Sequence, residues 1–290
     1  MNFSHHRSPA QSAREYCRGI TGGLVFSIPL LYTLEMWSAG AALHPARILL
    51  CVGATFGILL LYNRFAGLRQ DASFGEVVID SVEEMGLGLV ISALVLWWIG
   101  EIDSSMGWSE VTGKVVLEAM TVAIGVSVGT AQLGGENDGD EGVSGEPSLE
   151  DSGYLPQTAI SFCGAVLFAA NIAPTDEVER IAAESPPFRI LVMASGSILA
   201  AAVVLHYAGI RGSRGTGRVS ADSNFLKLRA VITSYAVALV AAAACLFLFG
   251  RLDGQPWRIG LAMAVVAGVP AALGASAGRF LLQQSPKGSH

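Results

Sequence analysis

The tripeptide Thr-x-Glu occurs twice in this sequence, 142 positions apart, as Thr33–Glu35 and Thr175–Glu177. Carboxylate and hydroxyl oxygens are the ligands that hard cations prefer. Two neighbouring carboxylates can instead share one proton. Asn171 lies one helical turn before Thr175 and adds an amide oxygen. The residue types predict a site for a small cation or for protons.

An arginine follows each glutamate after twelve residues, as Arg47 and Arg189. A short connection between two helices would bring Glu35 to Arg47 and Glu177 to Arg189. Such pairs could act as counter-charges in a transport site, or they could only close a helical hairpin. Duplication accounts for their recurrence in either case, so both interpretations stay open.

These residues belong to a longer internal repeat. Residues 22–49 align without a gap with residues 164–191, and nine of the 28 positions are identical. The second parts of the two halves match more weakly, as Gly100–Asp103 against Gly250–Asp253. An even number of helices in each half predicts parallel repeats, related by an axis along the membrane normal. That axis would place Glu35 and Glu177 face to face.

Composition indicates a membrane protein. The 290 residues are 52% hydrophobic and 14% charged, whereas soluble domains have about 25% charged residues. The spans must be helices, because a helix satisfies its own backbone groups in lipid. The prediction is an all-α polytopic protein with about eight spans, near residues 19–37, 47–62, 77–99, 113–133, 156–173, 189–208, 225–249 and 259–282.

The predicted organisation is two parallel four-helix repeats. Residues 19–134 and 154–282 form the repeats, and an acidic, Gly-rich linker at 135–153, predicted to be disordered, joins them. Residues 1–18 and 283–290 form terminal segments. With the N-terminus inside, twelve Lys and Arg residues lie in the cytoplasm and six outside. The positive-inside rule therefore predicts a multi-pass protein of the cell (inner) membrane with both termini cytoplasmic.

Further charged residues lie within the predicted spans. Lys114 and Glu118 are four residues apart and are expected to form an ion pair with each other. Four acids share one face at the cytoplasmic end of the third span. This second cluster is either an acidic vestibule for cations or a solvated helix end paired with Lys227 and Arg229; its members are Glu76, Asp80, Glu83 and Glu84.

Local signals refine the helices. Pro29 should kink the first span near Phe26. Residues 175–185 begin with Thr and acidic residues, which predicts a short amphipathic helix on the outer surface. Small residues in the last span of each half predict close helix packing; they are Gly125, Ser127, Gly129, Gly268, Gly274, Ser276 and Gly278.

Other functions are not indicated. The sequence has no H-E-x-x-H, P-loop or G-x-S-x-G motif, and its four cysteines lack metal-ligand spacing. We therefore expect no enzyme activity, no metal, no cofactor and no nucleic-acid partner. The expected surroundings are the lipid bilayer, and a homo-oligomer is compatible with the sequence.

The stretch R-G-x-x-G-G-L-x-F-S-x-P-L-L-Y-T-x-E-x-W at 18–37, with N-x-A-P-T-x-E at 171–177, resembles a prokaryotic family of integral membrane proteins of unknown function. The resemblance covers nearly the whole chain and implies no activity. Phe26–Ser27 is faintly similar to the first-helix motif of lysosomal and bacterial potassium channels. In that motif Asp-Gly follows, whereas Ile28 and Pro29 follow here.

The sequence therefore favours a membrane transporter or channel for a small cation or protons. Glu35 and Glu177 would be the paired site, with Thr33, Thr175 and Asn171 assisting. The alternative is a membrane scaffold or sensor without transport activity, whose acidic linker contacts partners.

Overall fold

The computed structural model describes residues 9–66, 73–132, 154–212 and 222–282, and all regular structure within them is helical. The predicted acidic linker at 135–153 and the tail at 283–290 lie outside the described residues. The all-α prediction is confirmed. The helices are α1 (Pro9–Leu31), α2 (Leu34–Ala42), α3 (Pro45–Ala66), α4 (Phe74–Ile99), α5 (Trp108–Gln132), α6 (Tyr154–Ala170), α7 (Asp176–Glu184), α8 (Pro187–Gly212), α9 (Asp222–Leu248) and α10 (Trp257–Leu282).

The order of the helices repeats. A long helix, a short helix and three long helices make up α1–α5, and the same order makes up α6–α10. The turns after α4 and α9 also match. Gly100 and Gly250 both have positive φ. In both turns the amide of the residue after the glycine donates to the carbonyl five residues earlier, from Glu101 to Leu96 and from Arg251 to Leu246. Within the described residues, each half thus contains a long helix at each of the four predicted spans and one short helix after the first of them.

Six of the described helices are long and apolar enough to cross a membrane. The pair α1 and α2 makes a seventh if it is counted as one bent span, and α6 is a shorter apolar helix. The predicted count of eight spans is therefore not confirmed. The difference arises at α1 and α6, the first helices of the two halves, because both end early and a short helix follows each.

The first span breaks after Pro29 rather than kinking before it. Helix α1 continues to Leu31, and α2 leaves it at 86°. Thr33 stabilises the break, since its hydroxyl donates to the Pro29 carbonyl and its amide donates to Leu30. The predicted kink near Phe26 is thus wrong in position. The equivalent short helix, α7, confirms a short helix within residues 175–185; its place on the outer surface stays a prediction.

Glycines bring the first and last helices of each half into backbone contact. A Cβ at Gly22 would lie 2.4 Å from the Cα of Gly129, and one at Gly164 would lie 2.3 Å from the Gly274 carbonyl oxygen. No side chain fits between backbones this close. Helices α5 and α10 therefore lie at the centre of their halves, as the small residues predicted.

One ion pair shows that the two halves point the same way. Arg47 at the start of α3 bonds Asp253 in the turn between α9 and α10. In each half the short helix, α2 or α7, packs on the last helix, α5 or α10. The starts of α3, α5 and α10 therefore lie on one side of the protein, which we call the Asp253 side.

The contact between the halves is not two-fold. Across the boundary between the halves, helix α3 packs mainly on α6. A two-fold axis would bring α8 against α1 to the same extent, and among the described residues it does not. The interface is heterologous, which means that different surfaces of the two halves meet. The expectation that equivalent residues face each other across an axis is therefore wrong.

Candidate functional site

The duplicated Thr-x-Glu motifs lie at the start of the two short helices. Thr33 and Thr175 are the residues before α2 and α7, and neither hydroxyl caps its helix. Glu35 is half-buried and Glu177 is exposed. Within the described ranges, neither carboxylate has a hydrogen bond or an ion pair. Asn171 is half-buried, and its amide nitrogen donates to the Leu167 carbonyl over 2.6 Å.

Arg47 does not pair with Glu35. Both of its terminal nitrogens donate to the carboxylate of Asp253, and its guanidinium lies 5.5 Å from the centre of the Phe247 ring. Arg189 is exposed and has no ion pair among the described residues. The predicted hairpin pairs, Glu35 with Arg47 and Glu177 with Arg189, are therefore wrong, because α2 and α7 lead each glutamate away from the start of the next helix.

The Arg47–Asp253 pair predicts a dependence of stability on pH. The hydrogen bond from Arg47 lowers the pKa of Asp253, so the pair stabilises the fold above the ordinary aspartate pKa of about 3.9. Its contribution is lost as the pH falls through the lowered pKa. We expect Asp253→Asn to melt earlier than the native protein at pH 7 and the difference to shrink as the pH falls below the ordinary aspartate pKa. A constant difference over that range in thermal unfolding would contradict the pair's role.

Glu118 is the least expected residue of the structure. It is the eleventh of the 25 residues of α5, its exposed fraction is 0%, and neither carboxylate oxygen has a hydrogen-bond partner among the described residues. A buried polar group without a partner is destabilising. An ionisable residue inside a membrane helix usually marks a functional site.

Contacts on either side show where Glu118 points. Lys114, Glu118 and Val122 are spaced by four residues and share one face of α5. Lys114 packs against Gly40 of α2, and Val122 packs against Gly23 of α1. Glu118 therefore faces the junction where α1 breaks and α2 begins.

The expected pair between Lys114 and Glu118 is wrong. The Lys114 ammonium lies 3.7 Å from the Glu101 carboxylate and 3.6 Å from that of Glu110, and it donates to the Glu101 carbonyl over 3.0 Å. A long cationic side chain extends toward water when it can. Lys114 therefore extends to the Asp253 side and leaves Glu118 alone, one turn deeper.

A second polar cluster lies in the first half, toward the opposite side. The Asn63 amide donates to Glu84 over 2.7 Å and to Ser81 over 3.0 Å, and the Ser127 hydroxyl donates to Asn63 over 2.9 Å. All four side chains are buried. The cluster joins α3, α4 and α5 by hydrogen bonds.

The structure divides the four predicted acids of α4. Glu76 and Glu83 are exposed, and Glu76 forms a capping box with Ser73. Asp80 is half-buried, whereas Glu84 belongs to the buried cluster with Asn63. The side chain of Lys227 lies outside the described residues. Arg229 stacks 5.1 Å above the Tyr154 ring.

The second half lacks the buried acids. Aligning Gly250 with Gly100 places Ser234 at the position of Glu84, and aligning Trp257 with Trp108 places Ala267 at the position of Glu118. Both are fully buried. On the Asp253 side this half instead has Arg251 bonded to Asp176 and Glu179 of α7, over 2.7 and 3.2 Å. Among the residues whose burial the structure describes, buried carboxyl groups thus occur only in the first half.

Sequence reasoning missed the role of Asn63 and Ser127 and the isolation of Glu118. Ser127 lies between Gly125 and Gly129, so the sequence pattern suggests only close helix packing for it. Asn63 lies at the end of a span, where polar residues are common. An acid in the middle of a predicted span was the available signal for Glu118, but the nearby lysine offered it an apparent partner.

Comparison with known proteins gives a family but no activity. No curated protein and no solved structure matches the chain. The model of the family described as "Putative integral membrane protein (DUF2391)" matches residues 15–282, which is nearly the whole chain. The protein therefore belongs to this family of integral membrane proteins.

Proposed function

We propose that the protein moves protons across the membrane and that Glu118 is the proton-binding group. The observation that carries this proposal is a fully buried carboxyl group without a partner in the middle of a spanning helix. A metal cation would need several oxygen ligands, and the part of the chain that the structure describes holds no group of three or more acidic, histidine or cysteine side chains that could bind one. A lone carboxyl group in apolar surroundings favours a proton, since an isolated charge is costly there.

The break between α1 and α2 supplies access from the Asp253 side. Glu35 lies in the first turn of α2, is half-buried, and has no described partner. Glu118 faces the same junction. A proton would therefore pass from water to Glu35 and then to Glu118, with a water molecule completing the distance.

The Asn63–Glu84 cluster supports access from the opposite side. Glu84 is nine-tenths buried and hydrogen-bonded, and Ser127 lies nine residues beyond Glu118 on α5. Nine residues of helix correspond to about 13 Å, so the path needs water between the two groups. The positive-inside pattern favours an inner-membrane orientation in which this cluster faces the cytoplasm and the Asp253 side faces outward.

The duplicated glutamates provide a matched test. We expect Glu35→Gln to lower proton flux severalfold and Glu177→Gln to leave it unchanged, because only the first half has a buried carboxyl group beyond its Thr-x-Glu. Flux is measured in proteoliposomes with an internal pH-sensitive dye and an imposed potassium potential.

Other results would have other meanings. Equal losses in both variants would contradict a proton path that runs through the first half alone. An absence of flux in the native protein, with the fold verified by its melting curve, would reject transport and leave the scaffold function.

A further inference from the structure

The interface between the two halves uses surfaces that each occur twice in the chain. Helix α3 of the first half packs on α6 of the second. The repeat makes α8 the equivalent of α3, and α1 the equivalent of α6. Within the described residues, α8 packs only on α9 and α10 to any extent. The surfaces of α3 and α6 thus form the contact between the halves, and the equivalent surfaces of α8 and α1 form no such contact among the described residues.

The used interface has a defined polar contact on the Asp253 side. Arg47 lies against Gly250, where a Cβ would meet its guanidinium nitrogen at 2.7 Å and a methyl group of Leu43 at 3.2 Å. The same arginine bonds Asp253 and lies over Phe247. Deeper in the interface, the Cys163 thiol donates to the Ile58 carbonyl over 3.8 Å.

The residues equivalent to those of this polar contact are exposed on the surfaces that form no contact within the chain. Arg189 is exposed, and Trp97, the equivalent of Phe247, has an exposed fraction of 68%. A Cβ at Gly100 would have nothing within 4 Å, although the equivalent Gly250 is covered. Asp103, the equivalent of Asp253, is exposed and bonds only its neighbour Ser105 among the described side chains.

We propose that α8 of one copy packs against α1 of a second copy, with Arg189 bonded to Asp103 of the partner subunit. The same contact that joins the halves within the chain would then join one chain to the next. Trp97 of the partner subunit would take the place of Phe247 beneath the arginine.

A second copy suits this surface better than lipid does. The second copy supplies a carboxylate for Arg189 and a guanidinium group for Asp103, as Asp253 and Arg47 do for each other within the chain. A heterologous contact that repeats about an axis along the membrane normal forms a ring when its rotation closes. A membrane keeps all chains in one layer, so the expected assembly is a ring of two or more chains. This inference does not depend on proton transport.

Cross-linking tests the contact directly. In a Cys17→Ser background the remaining cysteines are buried. Chains with Asp103→Cys and chains with Arg189→Cys are co-expressed with different tags and treated with a short bismaleimide. We expect covalent dimers that contain one chain of each type. Arg47→Cys with Asp253→Cys in one chain is the control, which should gain the mass of one linker without forming a dimer.

Two results would overturn the proposal. One is the absence of mixed dimers while the control pair cross-links. The other is efficient linking of Arg189→Cys to itself, which indicates a two-fold contact instead. Native mass spectrometry gives a second measurement. Arg189→Asp or Asp103→Arg alone should release single chains, and the double exchange should restore the ring.

Discussion

Replacement of Glu118 by methionine is expected to abolish proton flux and to stabilise the protein. Flux should fall by about 100-fold or more, which is the usual effect of removing an essential acid–base group. Stability should rise by about 1–3 kcal/mol, because a buried polar group without a partner is removed. Ala267 at the equivalent position shows that this fold accepts an apolar side chain there.

Two measurements separate these effects. Proton flux is measured in proteoliposomes, and stability is measured by denaturant unfolding in detergent. Glu118→Gln should lose the flux without the gain in stability, since the amide is still polar and unpartnered. Glu110→Gln, at the exposed start of the same helix, is the matched control and should keep its flux. Retained flux in Glu118→Met would remove Glu118 from the mechanism, and a large loss of stability would mean that it has a structural partner.

Alanine at the glycine contacts is expected to disrupt the fold in both halves. Gly22→Ala and Gly164→Ala each place a methyl group within 2.5 Å of opposing backbone. Backbone cannot move aside as a side chain can, so each substitution should lower stability by about 3 kcal/mol, at the upper end of the usual range for overpacking.

Glycines of two other membrane helices, where a Cβ would meet no neighbour, supply the control. A Cβ at Gly53 of α3 or Gly196 of α8 would have nothing within 4 Å. Alanine has a higher helix propensity than glycine, so these changes should raise stability by up to about 1 kcal/mol. Thermal unfolding of the four variants gives the comparison. Equal effects at Gly22 and Gly53 would mean that the helices do not touch at the glycines.

The fold was predictable where it depends on local composition. Long apolar runs specify spanning helices, the acidic residues after Thr175 specify α7, and Gly125 and Gly274 specify close packing. The break after Pro29 was misplaced because it depends on the bond from the Thr33 hydroxyl to the Pro29 carbonyl. A hydroxyl that donates to the carbonyl four residues earlier can occur inside a helix or at its end, and the tertiary contacts decide which of the two forms.

The candidate site was less predictable, since it depends on which neighbour a charged group reaches. Spacing alone allowed Lys114 to pair with Glu118, and only the position of Glu101 and Glu110 shows that the lysine extends the other way. The duplication also predicts equivalent surfaces but not how they meet. Two-fold and heterologous contacts are compatible with the same repeat, so the opposition of Glu35 and Glu177 did not follow from it.

The glycine contacts limit the motions that are open to this protein. Where α1 touches α5 through backbone alone, no side chains exist that could change rotamer and let the helices slide. If the protein transports protons as proposed, opening toward the Asp253 side would occur beyond the contact, by rotation of α2 about Thr33. The segment from Tyr32 to Thr33 would be the hinge of a gate, while α1 and α5 stay fixed as its frame.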